Sequence, residues 1–265
     1  MAKLKLGSQG AEVERLQQKL KEKGFSPGNV DGDFGLGTEA ALIAFQRSAG
    51  LLADGVAGPR TLAALGLENP DVPVTIVQGV TIAIASRMFP NTPLGNIKAN
   101  LPPVLRSLVD TDLDDRTMVL MALATIRAET ESFEPIAEGR SRFNTSPNGH
   151  PFDLYDFRRD LGNQGPPDGE RFRGRGYVQL TGRFNYRKYG QALHLGEQLV
   201  NEPEKAGDPA IAALLLAAFL KDKERPIKEA LIHDDLAAAR RLVNGGSHGL
   251  DRFMDAYTIG DQLIA

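Results

Sequence analysis

Along the front of the chain, apolar residues return at helical spacing. Val13, Leu16 and Leu20 fall on one face of a first helix, with Ser8 placed to cap it. Thr38 is placed to cap a second helix over 39–48, and Pro59 suits the first turn of a short third one. From about residue 76 the pattern is again mostly helical. "RTMVLMALATIRAET" (116–130) predicts a strongly apolar helix, led by Asp114 and Asp115 at its positive end. "DPAIAALLLAAFLKD" and "DDLAAARRLVNGG" predict two more, the second ended by glycines. The run "AIAALLLAAFL" (210–220) falls short of the ~20 apolar residues that cross a membrane, so it reads as a buried core helix. Between Phe133 and Gly174 the periodicity dissolves into turn-rich "NTSPNGHPFD" and "GNQGPPDGE". "YVQLT" (177–181) alternates and is β-branched, which predicts a short strand.

The front also carries an internal repeat. "VDGDFGLGTEAAL" (30–42) aligns without gaps on "ADGVAGPRTLAAL" (53–65), sharing aspartate, two glycines, threonine, two alanines and leucine. Each copy reads as a tight turn followed by a helix start. Three short helices in roughly 65 residues make a module near the lower limit of independent folding. Asp31 and Asp33 do not make a calcium loop, because Leu42 stands where such a loop needs its bidentate glutamate. "LGSQGAEVERLQQKL", "VDGDFGLGTEAALIAFQ" and "GLLADGVAGPRTLAAL" together resemble the peptidoglycan-binding domain of many cell-wall hydrolases, over residues 4–66. That resemblance implies binding to bacterial cell wall. "LENPDVPVT" (67–75), with two prolines and little periodicity, reads as a linker.

Composition narrows the classes of function. The chain has 265 residues, enough for one large domain or two smaller ones, and a formal net charge of −3. A chain whose main partner is nucleic acid usually carries a basic excess, so this balance argues against one. Cysteine is absent, which removes disulfides, thiolate nucleophiles and cysteine zinc sites. His150, His194, His233 and His248 are scattered without a pair at metal-binding spacing, so zinc hydrolysis is not expected. "MAKLKLGSQG" has basic residues with no apolar run behind them, so no signal peptide is expected.

Carboxylates remain as candidate chemistry. "AETESFEPIAEGRSRF" places Glu129, Glu131, Glu134 and Glu138 where the apolar helix gives way to irregular chain. Glu129 follows Ala122 and Ile126 at helical spacing, which turns it inward, where partial desolvation suits a general acid. Glu131 and Glu134 are expected to face solvent. Glu138, further along, can approach a substrate from another wall, and glycosidic cleavage needs such a pair of carboxyl groups. On spacing alone the signal is weak, because glutamates near a helix end are usually just solvated. "RFRGRGYVQLTGRFNY" (171–186), a mixture of arginine, glycine and aromatics, suits either a nucleic-acid clamp or one wall of a sugar cleft.

"GRGYVQLTGRFNY" behind that glutamate pair, with "VNGGSHGLDRF" further on, resembles the catalytic domain of glycoside hydrolase family 19, from about residue 85 to 258. This is a chitinase family whose lysozyme-like members include phage endolysins. The resemblance implies Glu129 as general acid, Glu138 as general base and Thr181 as the residue holding the attacking water. It implies Gln179, Asn185, Tyr186, Asn244 and Arg252 as the sugar-binding set. The sequence departs from the family at Ala128, where many members have histidine, and in lacking tryptophan.

The implied fold is mainly α: an α+β lysozyme-like catalytic domain with a small strand region, preceded by a three-helix peptidoglycan-binding domain. The boundaries are then 1–67 for wall binding, 68–78 for the linker and 79–265 for catalysis. The implied activity is that of an endolysin cutting β-1,4 bonds of peptidoglycan, N-acetylmuramidase type, with inversion and without cofactor or metal. A chitinase and a catalytically inactive wall-binding protein are the alternatives. The expected partner is peptidoglycan alone, as substrate and anchor, with no nucleic acid and no stable membrane association. A monomer is expected, made in the host cytoplasm and acting on the wall after release.

Overall fold

The computed structural model describes residues 4–49, 51, 53, 55–67, 76–246 and 249–264. The linker stretch 68–75, Ser247 and His248 lie outside the described residues. The chain divides into two compact units, residues 1–75 with 224–229, and residues 76–223 with 230–265.

In the first unit, α1 (Ala11–Glu22), α2 (Leu36–Ser48) and α3 (Pro59–Ala64) enclose a core that includes Val13, Leu16, Leu20, Phe34, Leu42, Phe45 and Leu65. The inward stripe of α1 is the one its periodicity predicts. The caps differ. α1 starts behind Gly10, at φ 110°, while Ser8 Oγ accepts from Lys5 N at 3.0 Å. α2 starts behind Gly35, so Thr38 lies inside its first turn with the hydroxyl buried.

That buried hydroxyl explains the repeat. Gln17 Oε1 accepts from Asp31 N (3.0 Å) and Gly32 N (2.9 Å), and its Nε2 donates to Asp33 O (3.0 Å) and Thr38 Oγ1 (3.1 Å). In the second copy Gln46 Oε1 accepts from Gly55 N (3.0 Å), and its Nε2 donates to Val56 O (3.0 Å) and Thr61 Oγ1 (3.2 Å). Gly32 and Gly55, Asp33 and Val56, and Thr38 and Thr61 are the aligned pairs of the repeat. Each loop therefore wraps a buried glutamine amide, and glycine is needed where the backbone takes φ 75° and 71° to do so. A buried amide left unpaired is costly, so loop and glutamine specify one another.

The second unit is mainly helical: α4 (Ile82–Met88), α5 (Leu94–Asp110), α6 (Arg116–Glu129), α7 (Asp168–Arg171), α8 (Arg183–Ala192), α9 (Gln198–Asn201), α10 (Pro209–Asp222) and, after α11 (Glu224–Ile232), whose residues 224–229 group with the first unit, α12 (Leu236–Asn244) and α13 (Leu250–Leu263). α6 is its axis. Asp115 caps it by accepting from Met118 N, and every residue from Thr117 to Ala128 is buried. α13 packs along α6, and Gly260 permits the close approach: a Cβ there would lie 2.6 Å from Leu120 Cδ2. α10, capped by Asp208, packs on α5 and buries the apolar run that the sequence marks as core.

Between α6 and α8 lies the irregular region, with β1 (Ile136–Ala137) antiparallel to β2 (Arg175–Gly176). The strand predicted over 177–181 is instead a turn, closed by the bridge between Arg175 and Leu180. Gly176 at φ 78° and Gln179 at φ 49° reverse the chain, and Tyr177, Val178 and Leu180 all go inward rather than alternating. The arginines here are braces. Arg175 is buried and donates to Arg171 O (2.7 Å) and Tyr186 Oη (2.8 Å), while Arg183 Nε donates to Asp168 Oδ2 (2.8 Å). All four arginines of that stretch thus have partners within the fold, since Arg171 donates to Val200 O at 3.0 Å and Arg173 to Glu170 O at 3.1 Å.

Candidate active site

Glu129 is the last residue of α6, where the buried axis of the second unit reaches a cleft of about 250 Å³. Val178, Leu180 and Val243 supply apolar wall, and Gln179, Thr181, Asn185 and Asn244 supply polar groups. Five residues expected from sequence thus line one cleft: Glu129, Gln179, Thr181, Asn185 and Asn244. Asn185, in the first turn of α8, is fixed by donating to Thr181 O at 2.8 Å. Asn244 ends α12, its Oδ1 accepting from Gly246 N at 2.9 Å.

The Glu129 carboxylate is not in a purely apolar pocket, as its position on the stripe leads one to expect. Arg240, from α12 and fully buried, donates from Nη2 to Glu129 Oε1 at 2.7 Å. The guanidinium thus sits against one oxygen of the carboxyl group at the edge of the cleft. Arg240 stands four residues before Asn244, hence on the same face of α12. That spacing places Arg240 on the cleft side of α12, but the sequence carries no signal that joins it to Glu129.

Glu138 follows β1, its main-chain N bonded to Gly174 O at 2.8 Å. Its Oε1 accepts from Asn144 Nδ2 (2.9 Å) and Tyr155 Oη (3.0 Å), and its Oε2 accepts from Gly174 N (3.2 Å). Burial, then the charge on Glu138, pushes the Tyr155 hydroxyl up to about 12, so it stays a donor. Over Gly174 three side chains meet. The point a Cβ would occupy lies 2.9 Å from Gln179 Oε1, 3.2 Å from Thr181 Oγ1 and 3.3 Å from Glu138 Oε2. Glu138 therefore joins Thr181 and Gln179, which belong to the cleft that also holds Glu129.

Three expectations need correction. Tyr186 is fully buried, its hydroxyl donating to Arg173 O at 2.8 Å and accepting from Arg175, so it braces the fold and is not among the residues that line the cleft. Arg252 is not among the cleft residues; it donates to Glu131 Oε2 (3.0 Å) and Ala128 O (3.1 Å). Glu131 does not simply face solvent. Arg127 Nη1 donates to it at 2.7 Å, and that bond, with Arg252 and against burial, holds its carboxyl below the usual range. Glu134 is exposed, as its position predicts. Asn144, Tyr155 and Gly174 escaped sequence reasoning, since they lie in turn-rich chain without periodicity.

Among the described residues no cluster of histidine, aspartate and glutamate is placed to hold a metal ion, and no helix is long and apolar enough to cross a membrane.

Residues 9–65 match the family model described as "Putative peptidoglycan binding domain". Over 56 residues, 21% of this chain, the sequence is 52% identical to N-acetylmuramoyl-L-alanine amidase CwlM of Mycobacterium tuberculosis, but it spans only 14% of that protein's length. Among solved structures, chitinase C from Streptomyces griseus is similar at 19% identity and a TM-score of 0.48, over 70% of this chain and 76% of that one. A Burkholderia AP3 phage endolysin aligns over 100% of both chains at 19% identity, with a TM-score of 0.31.

Proposed function

We propose that this protein is an endolysin-type cell-wall hydrolase that cuts the β-1,4 glycosidic bond of peptidoglycan by acid–base catalysis with inversion. One observation carries the reading: Glu129 and Thr181 line the same cleft, and Glu138 Oε2 turns toward Thr181 over Gly174. Two carboxyl groups thus serve one space from different elements, as direct displacement by water requires.

Glu129 gives its proton to the leaving oxygen as the bond from the anomeric carbon breaks, and Arg240 offsets the charge that remains. Water attacks from the other side. Its oxygen bonds to the anomeric carbon, and its proton passes to Glu138 Oε2. Thr181 steadies the water. Asn185, Asn244 and Gln179 present amides to a glycan's hydroxyl and N-acetyl groups. The peptidoglycan-binding module keeps the catalytic unit at an insoluble polymer, raising its local concentration there. No step in this scheme calls for a metal or organic cofactor.

Mass spectrometry of digests of purified peptidoglycan tests the reading. New reducing ends on N-acetylmuramic acid are expected. Free stem peptides or separated amide products in their place would mean a different bond is cut. Residues 1–67 alone should sediment with sacculi, and failure to do so would remove the anchor from the account.

A further inference from the structure

Glu138 is held more tightly than proton transfer from water alone requires. Its two oxygens have different company. Oε1 accepts from two side chains, Asn144 Nδ2 at 2.9 Å and Tyr155 Oη at 3.0 Å. Oε2 accepts from the main-chain N of Gly174 at 3.2 Å and faces Gln179 and Thr181.

The two holders are themselves fixed. Asn144 is fully buried, donates also to Gly139 O (2.9 Å) and accepts from Ser141 N (2.8 Å). The Tyr155 carbonyl accepts from Asn163 Nδ2 (2.8 Å), and Asn163 Oδ1 accepts from Arg183 N (3.0 Å), the first residue of α8. The loop between β1 and α8 is thereby closed on Glu138 at one point and on the helix carrying Asn185 at another. A carboxylate with two rigid donors on one oxygen cannot rotate freely, which leaves the other oxygen as the one that takes a proton.

The hollow over Gly174 has a matching chemistry. Gln179 turns its Oε1 there because its Nε2 donates to Ile136 O (3.1 Å) and Gly176 O (3.0 Å). Thr181 spends its proton on Gln179 O at 2.8 Å, so its oxygen is left to accept. With Glu138 Oε2, all three groups are acceptors. A water molecule bound among them gives up both protons to hydrogen bonds and turns a lone pair outward, which is the orientation of a nucleophile. Only glycine at 174 leaves that space open.

We infer that Tyr155 and Asn144 are positioning residues for Glu138, and that the acceptor-lined hollow over Gly174 seats the hydrolytic water with Gln179 as its third acceptor. The inference rests on the acid–base reading above and goes beyond it.

The test uses the full-length protein on soluble peptidoglycan oligomers, with kcat, KM and thermal midpoint measured for Y155F, G174A, E138Q and the Y155F/E138Q double variant. Y155F removes one bond to a charged group, so kcat should fall about 10-fold or more with KM within about two-fold. G174A puts a methyl group into the hollow without demanding an unusual backbone, and should lower kcat at least as much. The double variant should be no slower than E138Q, because Tyr155 acts through Glu138. Wild-type kcat in Y155F and G174A beside a crippled E138Q would overturn this inference and leave the acid–base reading standing. So would a double variant slower than E138Q by the full Y155F factor. A fully active E138Q would overturn the acid–base reading and this inference with it.

Discussion

Arg240 Nη2 lies 2.7 Å from Glu129 Oε1, across 111 residues of chain. Arg240 is fully buried and the Glu129 side chain is 13% exposed, so little solvent competes with the bond. Removing the donor from a buried hydrogen bond typically costs about 1–3 kcal/mol, because the acceptor is left unsatisfied. Arg240→Ala should therefore lower both the thermal midpoint and, below it, kcat. Arg240→Lys keeps the charge but not the planar fork, and should fall between. Chemical denaturation and turnover on soluble wall oligomers check both. Full activity in Arg240→Ala would mean that Glu129 needs no help with its charge.

The Asp168–Arg183 pair predicts a pH dependence of stability. Burial works to raise the Asp168 carboxyl, but hydrogen bonds from Arg183 and Gln164 N outweigh it and hold the group below its usual value. A lowered folded-state pKa gives stability that is present above the unfolded value and lost as pH falls through the folded one. Asp168→Asn should therefore be less stable than wild type by about 1–3 kcal/mol at pH 7. The gap should shrink as pH drops below about 4, where the unfolded aspartate is already protonated. A gap independent of pH would assign the loss to packing rather than charge.

Gln17 and Gln46 make separate predictions for the N-terminal module. Replacing either with leucine leaves buried backbone donors and a threonine hydroxyl without the amide, and should destabilise the module by about 2–4 kcal/mol. Gln18→Leu, one residue away on the exposed side of α1, should change little. Thermal unfolding of residues 1–67 alone would show the contrast; equal effects at 17 and 18 would refute the loop-wrapping role.

Much of this was legible beforehand, and the reasons are physical. α6 and α10 announce themselves because helices buried on most sides leave long apolar runs. Gln179, Thr181 and Asn185 lie within one short stretch, so chain connectivity alone brings them together. What the sequence hid depends on long-range closure. Glu129 meets Arg240, and Glu138 meets Asn144 and Tyr155, through contacts that no periodicity encodes. The strand expected at "YVQLT" failed because a turn buried on successive residues mimics a strand's composition. Ser8 and Thr38 have the chemistry of caps, but glycines at the true helix starts released them for other bonds.

The central claim is that Glu129 and Glu138 act as acid and base on opposite sides of a glycosidic bond. Proton NMR of the first-formed product from soluble peptidoglycan oligomers, for wild type and Glu129→Gln side by side, tests it most directly. The account predicts the α-anomer first from wild type, since water inverts the β-linked carbon. It predicts the same product from Glu129→Gln, slower by about 10²–10⁴-fold. A β-anomer formed first, or Glu129→Gln working at the wild-type rate, would contradict it.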